Sequence, residues 1–195
     1  MLDTTDTRAL RRDAMRDKIL KAAWRLARRE GLTGFSLRDL AKVVGMRAPS
    51  LYSYFDSKIA LYDAMFAQGN EEFAETAGAV PDGDFPEVFR ERAHRMFEFG
   101  ASDPVRYQLL FQRTIPGFEP SPESYAIAVR TFEGVRARFH TEGLDDADLD
   151  LWTCITTGLV SQQLSNDPGG DRYGRLVDDA VDMFLEHVGY RKGKR

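Results

Sequence analysis

The stretch from Phe35 to Lys58, FSLRDLAKVVGMRAPSLYSYFDSK, limits the possible folds of this chain more than any other. Ser36 is a residue type that caps helix N-termini, and Asp39 stands three residues later, the spacing of a capping box. Phe35 before the cap and Leu40 inside the helix are spaced as a hydrophobic staple. Leu37, Leu40, Ala41 and Val44 share one helical face. Gly45 supplies the left-handed residue that ends a helix. Pro49 suits the first turn of a second helix, where its missing N–H is not needed. Leu51 and Phe55 lie four apart and face inward together. The spacing predicts two short helices joined by a tight glycine turn.

Helix, glycine turn, helix is the helix-turn-helix pattern, whose second helix enters the major groove of DNA. A plain helical hairpin would account for the inward residues. It would not account for the outward set of Arg38, Arg47, Ser50, Tyr52, Ser53, Tyr54 and Lys58. Hydroxyls and cations suit phosphate, and Arg47 is long enough to reach a base edge. The net charge of −4 looks wrong for such a role until it is divided along the chain. Residues 1–60 hold 13 Lys/Arg against 7 Asp/Glu, or +6; residues 61–195 hold 14 against 24, or −10. A basic head on an acidic body is the asymmetry expected when one end meets nucleic acid.

The same stretch resembles the DNA-binding domain of the TetR family of transcriptional regulators, without gaps over about residues 12–62. The most diagnostic part is the ending formed by Leu51, Tyr52, Tyr54, Phe55 and Lys58. Tyr54 stands where the family usually has histidine, and a tyrosine can also hydrogen-bond a phosphate. The resemblance implies that Ser36 meets phosphate and that Arg38 lies near a base or phosphate. It implies that Arg47, Ala48, Pro49 and Ser50 face the bases and that Tyr52, Tyr54 and Lys58 grip the backbone. Arg47 to guanine is the direct-readout contact expected of this set.

The remaining chain reads as helix throughout, so the fold class is all-α: an N-terminal three-helix head and a C-terminal helical effector and dimerisation bundle. A polar, frayed start over residues 1–10 precedes a first helix from Arg11 to about Glu30, with Met15, Ile19, Ala22, Ala23 and Leu26 as its buried stripe. Arg8, Arg11, Arg12, Arg16 and Lys18 gather at its start, as phosphate contacts or as a solvated face. A long helix runs from Ser57 to about Ala77, and GAVPDGD breaks the chain after it. Further helices are predicted over Phe85–Ala101, from Pro104, from Pro122, from Asp145 and from Leu176, ending in a basic RKGKR tail. The helix from Pro122 has Tyr125, Val129, Phe132, Val135 and Phe139 as its expected inward stripe. The functional boundary is placed inside the long helix, giving a DNA-binding domain over 1–60 and a ligand-binding and dimerisation domain over 61–195.

The body resembles TetR effector domains too. DPVRYQLLF and the Trp152–Gly158 segment are similar to the class named for a Trp-His-Gly motif, although Thr156 and Thr157 precede Gly158 and no histidine is there. In the family the last two helices pair across a homodimer, which here implicates Leu159, Val160, Val177, Val181 and Phe184. Two-fold symmetry then matches a palindromic operator. Phe66, Phe97, Phe111, Tyr125 and Trp152 are candidates to line a pocket for a hydrophobic or aromatic effector, and each would serve equally as core.

Other classes find little support. No nucleophile elbow, metalloprotease motif, phosphate loop or Cys pair appears, so an enzyme is not expected. His94, His140 and His187 share no ligand spacing, and no metal or cofactor is expected. The single cysteine, Cys154, fits a reducing interior. No run approaches the roughly 18 apolar residues of a membrane span, and the first residues lack a signal peptide's apolar core. The reading is a cytoplasmic regulator whose partners are duplex DNA, a second copy and a small-molecule effector, with no membrane. A helical dimeric module that binds a ligand or partner without specific DNA recognition is the alternative.

Overall fold

Several helix boundaries fall where the sequence places caps and breakers, as at Ser36, Gly45 and Asp145. The structure, a computed structural model, describes residues 4–78 and 83–190, with side chains from residue 7. The described residues form α1 Thr4–Glu30, α2 Leu37–Val44, α3 Ala48–Tyr52, α4 Lys58–Gly78, α5 Phe85–Ser102, α6 Pro104–Phe111, α7 Pro122–Thr141, α8 Asp146–Asn166 and α9 Val177–His187. A 3-10 turn over Gly174–Leu176 leads into α9, and no strand occurs among the described residues. The middle of the GAVPDGD break, residues 79–82, and the RKGKR tail lie outside the described residues.

Two compact units are present, one made of Met1–Gly69 with Gln108–Tyr125, the other of Asn70–Tyr107 with Ala126–Arg195. In the first, the Ser36 cap is complete: its hydroxyl accepts from Asp39 N–H, and the Asp39 carboxylate accepts from Ser36 N–H. Gly45 closes α2 at φ 74, a conformation that costs little only without a Cβ. Leu37, Leu40, Ala41 and Val44 are buried with Leu51 and Phe55, together with Ile19, Ala22, Ala23 and Leu26 of α1. Trp24 Nε1 donates to Gln68 Oε1 at 2.9 Å, tying α1 to α4. The segment following α6 also belongs to this unit. Phe118 sits edge-on to Tyr62 and Phe66, and Asp63 of α4 accepts from Ser121 N–H (2.7 Å), Ser121 Oγ (2.9 Å) and Ser124 Oγ (2.9 Å).

In the second unit α5 packs on α8 and α9. Phe85, Phe89, Phe139, Trp152 and Phe184 form one aromatic core with Val177 and Val181. Asp145 and Asp148 build a second capping box, at the start of α8. Arg90 of α5 bridges Asp178 and Asp182 of α9, where His94 also meets Asp178.

The structure differs from the sequence expectation in three places. Helix α1 starts at Thr4, since no glycine or proline interrupts the first ten residues. Helix α3 ends at Tyr52, which leaves Tyr54 in the turn beyond it. Tyr125, Val129 and Phe132 of α7 are exposed, not inward. The buried or half-buried face runs through Ser124, Ala128, Thr131, Val135 and Phe139. Ser124 can be buried because Asp63 accepts its hydroxyl proton.

Candidate nucleic-acid interface

The outward set of the head is displayed by short, well-fixed backbone. Arg38 projects from α2 into solvent; Arg47 immediately precedes α3, in extended conformation (φ −74, ψ 143). Pro49, Ser50 and Tyr52 are exposed on α3, Ala48 is half-buried, and Tyr54 is half-buried in the turn that follows. Leu51 and Phe55 anchor this segment from within. Ser36 remains at the surface, but its hydroxyl is held 2.6 Å from Asp39 Oδ2. The Ser36 hydroxyl and N–H, followed by Lys42, hold the Asp39 carboxyl below the ordinary range.

Two arginines of α1 fix the end of this segment. Arg12 donates to the Ser53 carbonyl (3.3 Å) and Arg16 to the Tyr54 carbonyl (3.4 Å). The Arg16 guanidinium also lies 4.5 Å from the Phe55 ring centroid. Cations suit the unpaired carbonyls past a helix C-terminus. Part of the basic cluster on α1 therefore positions the turn, a use that a charge count along the sequence does not reveal. Lys58 is also turned inward. Its ammonium donates to the Thr33 (3.1 Å) and Phe35 (2.5 Å) carbonyls and lies over the Phe35 ring, leaving one N–H for another acceptor. Burial pushes its pKa down.

Of the five aromatic candidates, Phe66, Phe111 and Tyr125 belong to the first unit and Phe97 and Trp152 to the second. Phe66 is buried against Phe118, and Trp152 is buried among Phe89 and Phe184. Phe97 and Phe111 are half-buried, and Tyr125 is 54% exposed. The cavity found in the second unit, about 520 Å³, is lined by none of them. Its walls are α4 and α7 with Arg92 of α5, and they carry Glu71, Glu75 and Arg130 beside Ile127 and Val135. No spacing in the sequence marked these residues, since they converge from three helices.

Four of the five dimer candidates are buried within one chain. Val160, Val177, Val181 and Phe184 are at most 1% exposed within one chain. They fill that chain's own core and have no surface left for a second copy. Leu159 is half-buried. The large apolar residues that α8, α9 and the turn before α9 leave outside are Leu151, Met183 and Leu176. No helix among the described residues is long and apolar enough to cross a membrane, and no group of three metal-ligating side chains occurs among them.

Residues 19–65, which span the capped helices and the anchored turn, match the family described as bacterial regulatory proteins, tetR family. The HTH-type transcriptional repressor Rv1353c of Mycobacterium tuberculosis is 25% identical over 192 residues, covering 91% of this chain and 72% of that protein. Among solved structures, a tetR-family transcriptional regulator from Streptomyces coelicolor shares the fold at TM-score 0.71 and 18% identity, over 91% of this chain and 81% of its own. A single-substitution variant of TetR from Acinetobacter baumannii AYE, solved in complex with minocycline, aligns at TM-score 0.61 and 19% identity, over 90% of this chain and 98% of its own. The Mycobacterium protein is named as a transcriptional repressor and the Streptomyces protein as a transcriptional regulator.

Proposed function

We propose, from a head that carries the tetR-family DNA-binding domain, that this chain is a repressor: two copies hold a palindromic operator, and a small molecule bound in the body releases it. The observation that carries the reading is the exposed group of Arg38, Arg47, Pro49, Ser50 and Tyr52 on a segment whose backbone is fixed by a capping box, Gly45 and the Arg12 and Arg16 hydrogen bonds. Arg47 reads a guanine through the major groove, while Ala48 and Pro49 pack against base edges. Ser36, Ser50, Tyr52 and Tyr54 meet phosphates, and Lys58 chiefly holds the loop before α2 in place. The DNA-binding part spans residues 1–60 and the effector and dimerisation part 61–195, with the boundary inside α4. We read the body as nearest the Trp-His-Gly class, on Trp152 and Gly158. The setting is the cytoplasm, where the operator is.

Two-fold pairing of α8 and α9 supplies the dimer, through the exposed Leu151, Leu176 and Met183 and the half-buried Leu159. Release works by population shift: the effector favours a dimer whose heads are wrongly spaced for successive major grooves. It can do so only by binding that state more tightly than the operator-bound one. The minocycline complex of the Acinetobacter protein supports a small-molecule effector here.

The test is a selection of random duplex DNA with the purified protein at two salt concentrations. Enrichment of a palindrome is expected, with affinity falling steeply as salt rises. Salt-sensitive binding without an enriched sequence would refute specific recognition and leave only a basic head.

A further inference from the structure

The cavity of the second unit has the wrong lining for a purely hydrocarbon ligand. Glu71 and Glu75 lie four apart on α4, so they share one face; Arg130 of α7 and Arg92 of α5 line the same space. No ion pair joins any of these four among the described residues. Arg92 Nε is enclosed and has no hydrogen-bond partner among the described residues. Arg106 Nε and Arg138 Nε are enclosed in the same way, but of the three only Arg92 lines this space, and a buried N–H of a cation without an acceptor is costly. Gly134 is a second, independent sign. It sits mid-helix in α7, where glycine weakens a helix, and its backbone needs no positive φ. Gly134 is exposed and a Cβ added there meets nothing within 4 Å, so a side chain at this position would stand in the mouth of the groove. Ile127 and Val135 are half-buried and supply an apolar floor, while Glu71, Glu75 and Arg130 stand exposed around an open groove of about 520 Å³.

We infer that this cavity binds a small amphoteric organic acid, its carboxylate held by Arg92 and Arg130, its amino or hydroxyl donors by Glu71 and Glu75, and its apolar middle against Ile127 and Val135. The inference rests on the reading of the body as the effector-binding part, and it replaces a wholly hydrophobic or aromatic effector with one charged at both ends. Two charged ends give orientation as well as affinity. A bidentate guanidinium favours a carboxylate over a neutral isostere. Carboxylates on the opposite wall reject a plain fatty acid or a second anion.

Para-aminomethylbenzoate carries both ends across one ring, and benzoate and benzylamine are its two halves. Titrated calorimetrically into the full chain without DNA, para-aminomethylbenzoate is expected to bind saturably and more tightly than either half. Arg92→Gln is expected to weaken it at least ~10-fold, the loss of a charge-assisted hydrogen bond. Gly134→Leu is expected to remove binding by filling the space, with the melting temperature maintained. Absence of saturable binding by para-aminomethylbenzoate, benzylamine binding as well as the complete probe, or binding that survives Gly134→Leu would each overturn the assignment. Operator affinity is measured separately. Probe binding that leaves operator affinity unchanged keeps the site and refutes the effector role, so the two readings fail independently.

Discussion

Arg47 and Lys58 are both cations at the edge of the same short segment, and they do different physical work. Arg47 is exposed and no hydrogen bond engages its side chain among the described residues; Lys58 spends two N–H groups on the Thr33 and Phe35 carbonyls. Arg47→Ala is expected to cost about 1–3 kcal/mol of operator affinity and to relax discrimination at one base pair, read by binding assays on single-base operator variants. A uniform loss across all variants would mean that Arg47 contacts only phosphate. Lys58→Ala is expected to cost about 1–3 kcal/mol of stability in urea unfolding, because it strands two carbonyls around a half-buried position. Its salt dependence of DNA binding should match the parent. A slope shallower by about one would instead place Lys58 on a phosphate. The sequence shows that both residues are basic. The direction taken by a four-carbon stem depends on where the Thr33 and Phe35 carbonyls lie, and a linear reading does not contain that.

Where an element boundary was legible, its cause is local. The box at Ser36/Asp39, the αL glycine at Gly45 and the first-turn Pro49 all act within a few residues of themselves. The inward face of α7 was not, because Ser124 occupies it by means of a partner on another helix, Asp63. Helix crossings raise the same difficulty. A Cβ on Gly100 would lie 2.8 Å from Val160 Cγ1, where α5 meets α8. Gly100→Ala should therefore destabilise by about 1–3 kcal/mol of overpacking, exceeding the roughly 0.5–1 kcal/mol that alanine gains in a helix. Urea unfolding decides it, and a stabilised variant would mean that Val160 simply rotates away. The join between α7 and α8 should be sensitive to pH. The Arg136 guanidinium, with His140 as a second partner, holds the Asp146 carboxyl down to about 2. A lowered folded-state pKa contributes stability above the unfolded value near 4 and loses it as pH falls toward 2. Melting temperature should fall over that interval, and Asp146→Asn should flatten the fall while lowering the plateau at neutral pH. An unchanged profile would show the pair to be energetically silent, as many exposed pairs are.

Pairing of two copies would draw on whichever apolar surface one chain leaves unused. The pattern of α8 and α9 drew attention to Val160, Val177, Val181 and Phe184, the most apolar positions, and these are spent on the chain's own core. A helix that is hydrophobic on more than one side does not announce which side faces a second copy. The outward residues are fewer: Leu151 on α8, Leu176 before α9, and Met183 on α9, which is 58% exposed. Introducing carboxylates there, as Leu151→Asp with Met183→Asp, would set like charges against each other across a two-fold axis in a body whose 61–195 segment already carries −10. Because neither side chain is buried within the chain, the melting temperature of one copy should change little. Sedimentation should show monomers, and affinity for the full palindrome should fall by about 100-fold or more toward that of a half-site, since two linked heads gain at least that much from effective concentration. Half-site affinity itself should be unchanged, because Arg38, Arg47 and Tyr52 are untouched. A double variant that remains dimeric would move the interface elsewhere. The exposed stripe of Tyr125, Val129 and Phe132 on α7 would then be the next face to charge, by the same reasoning from unused apolar surface.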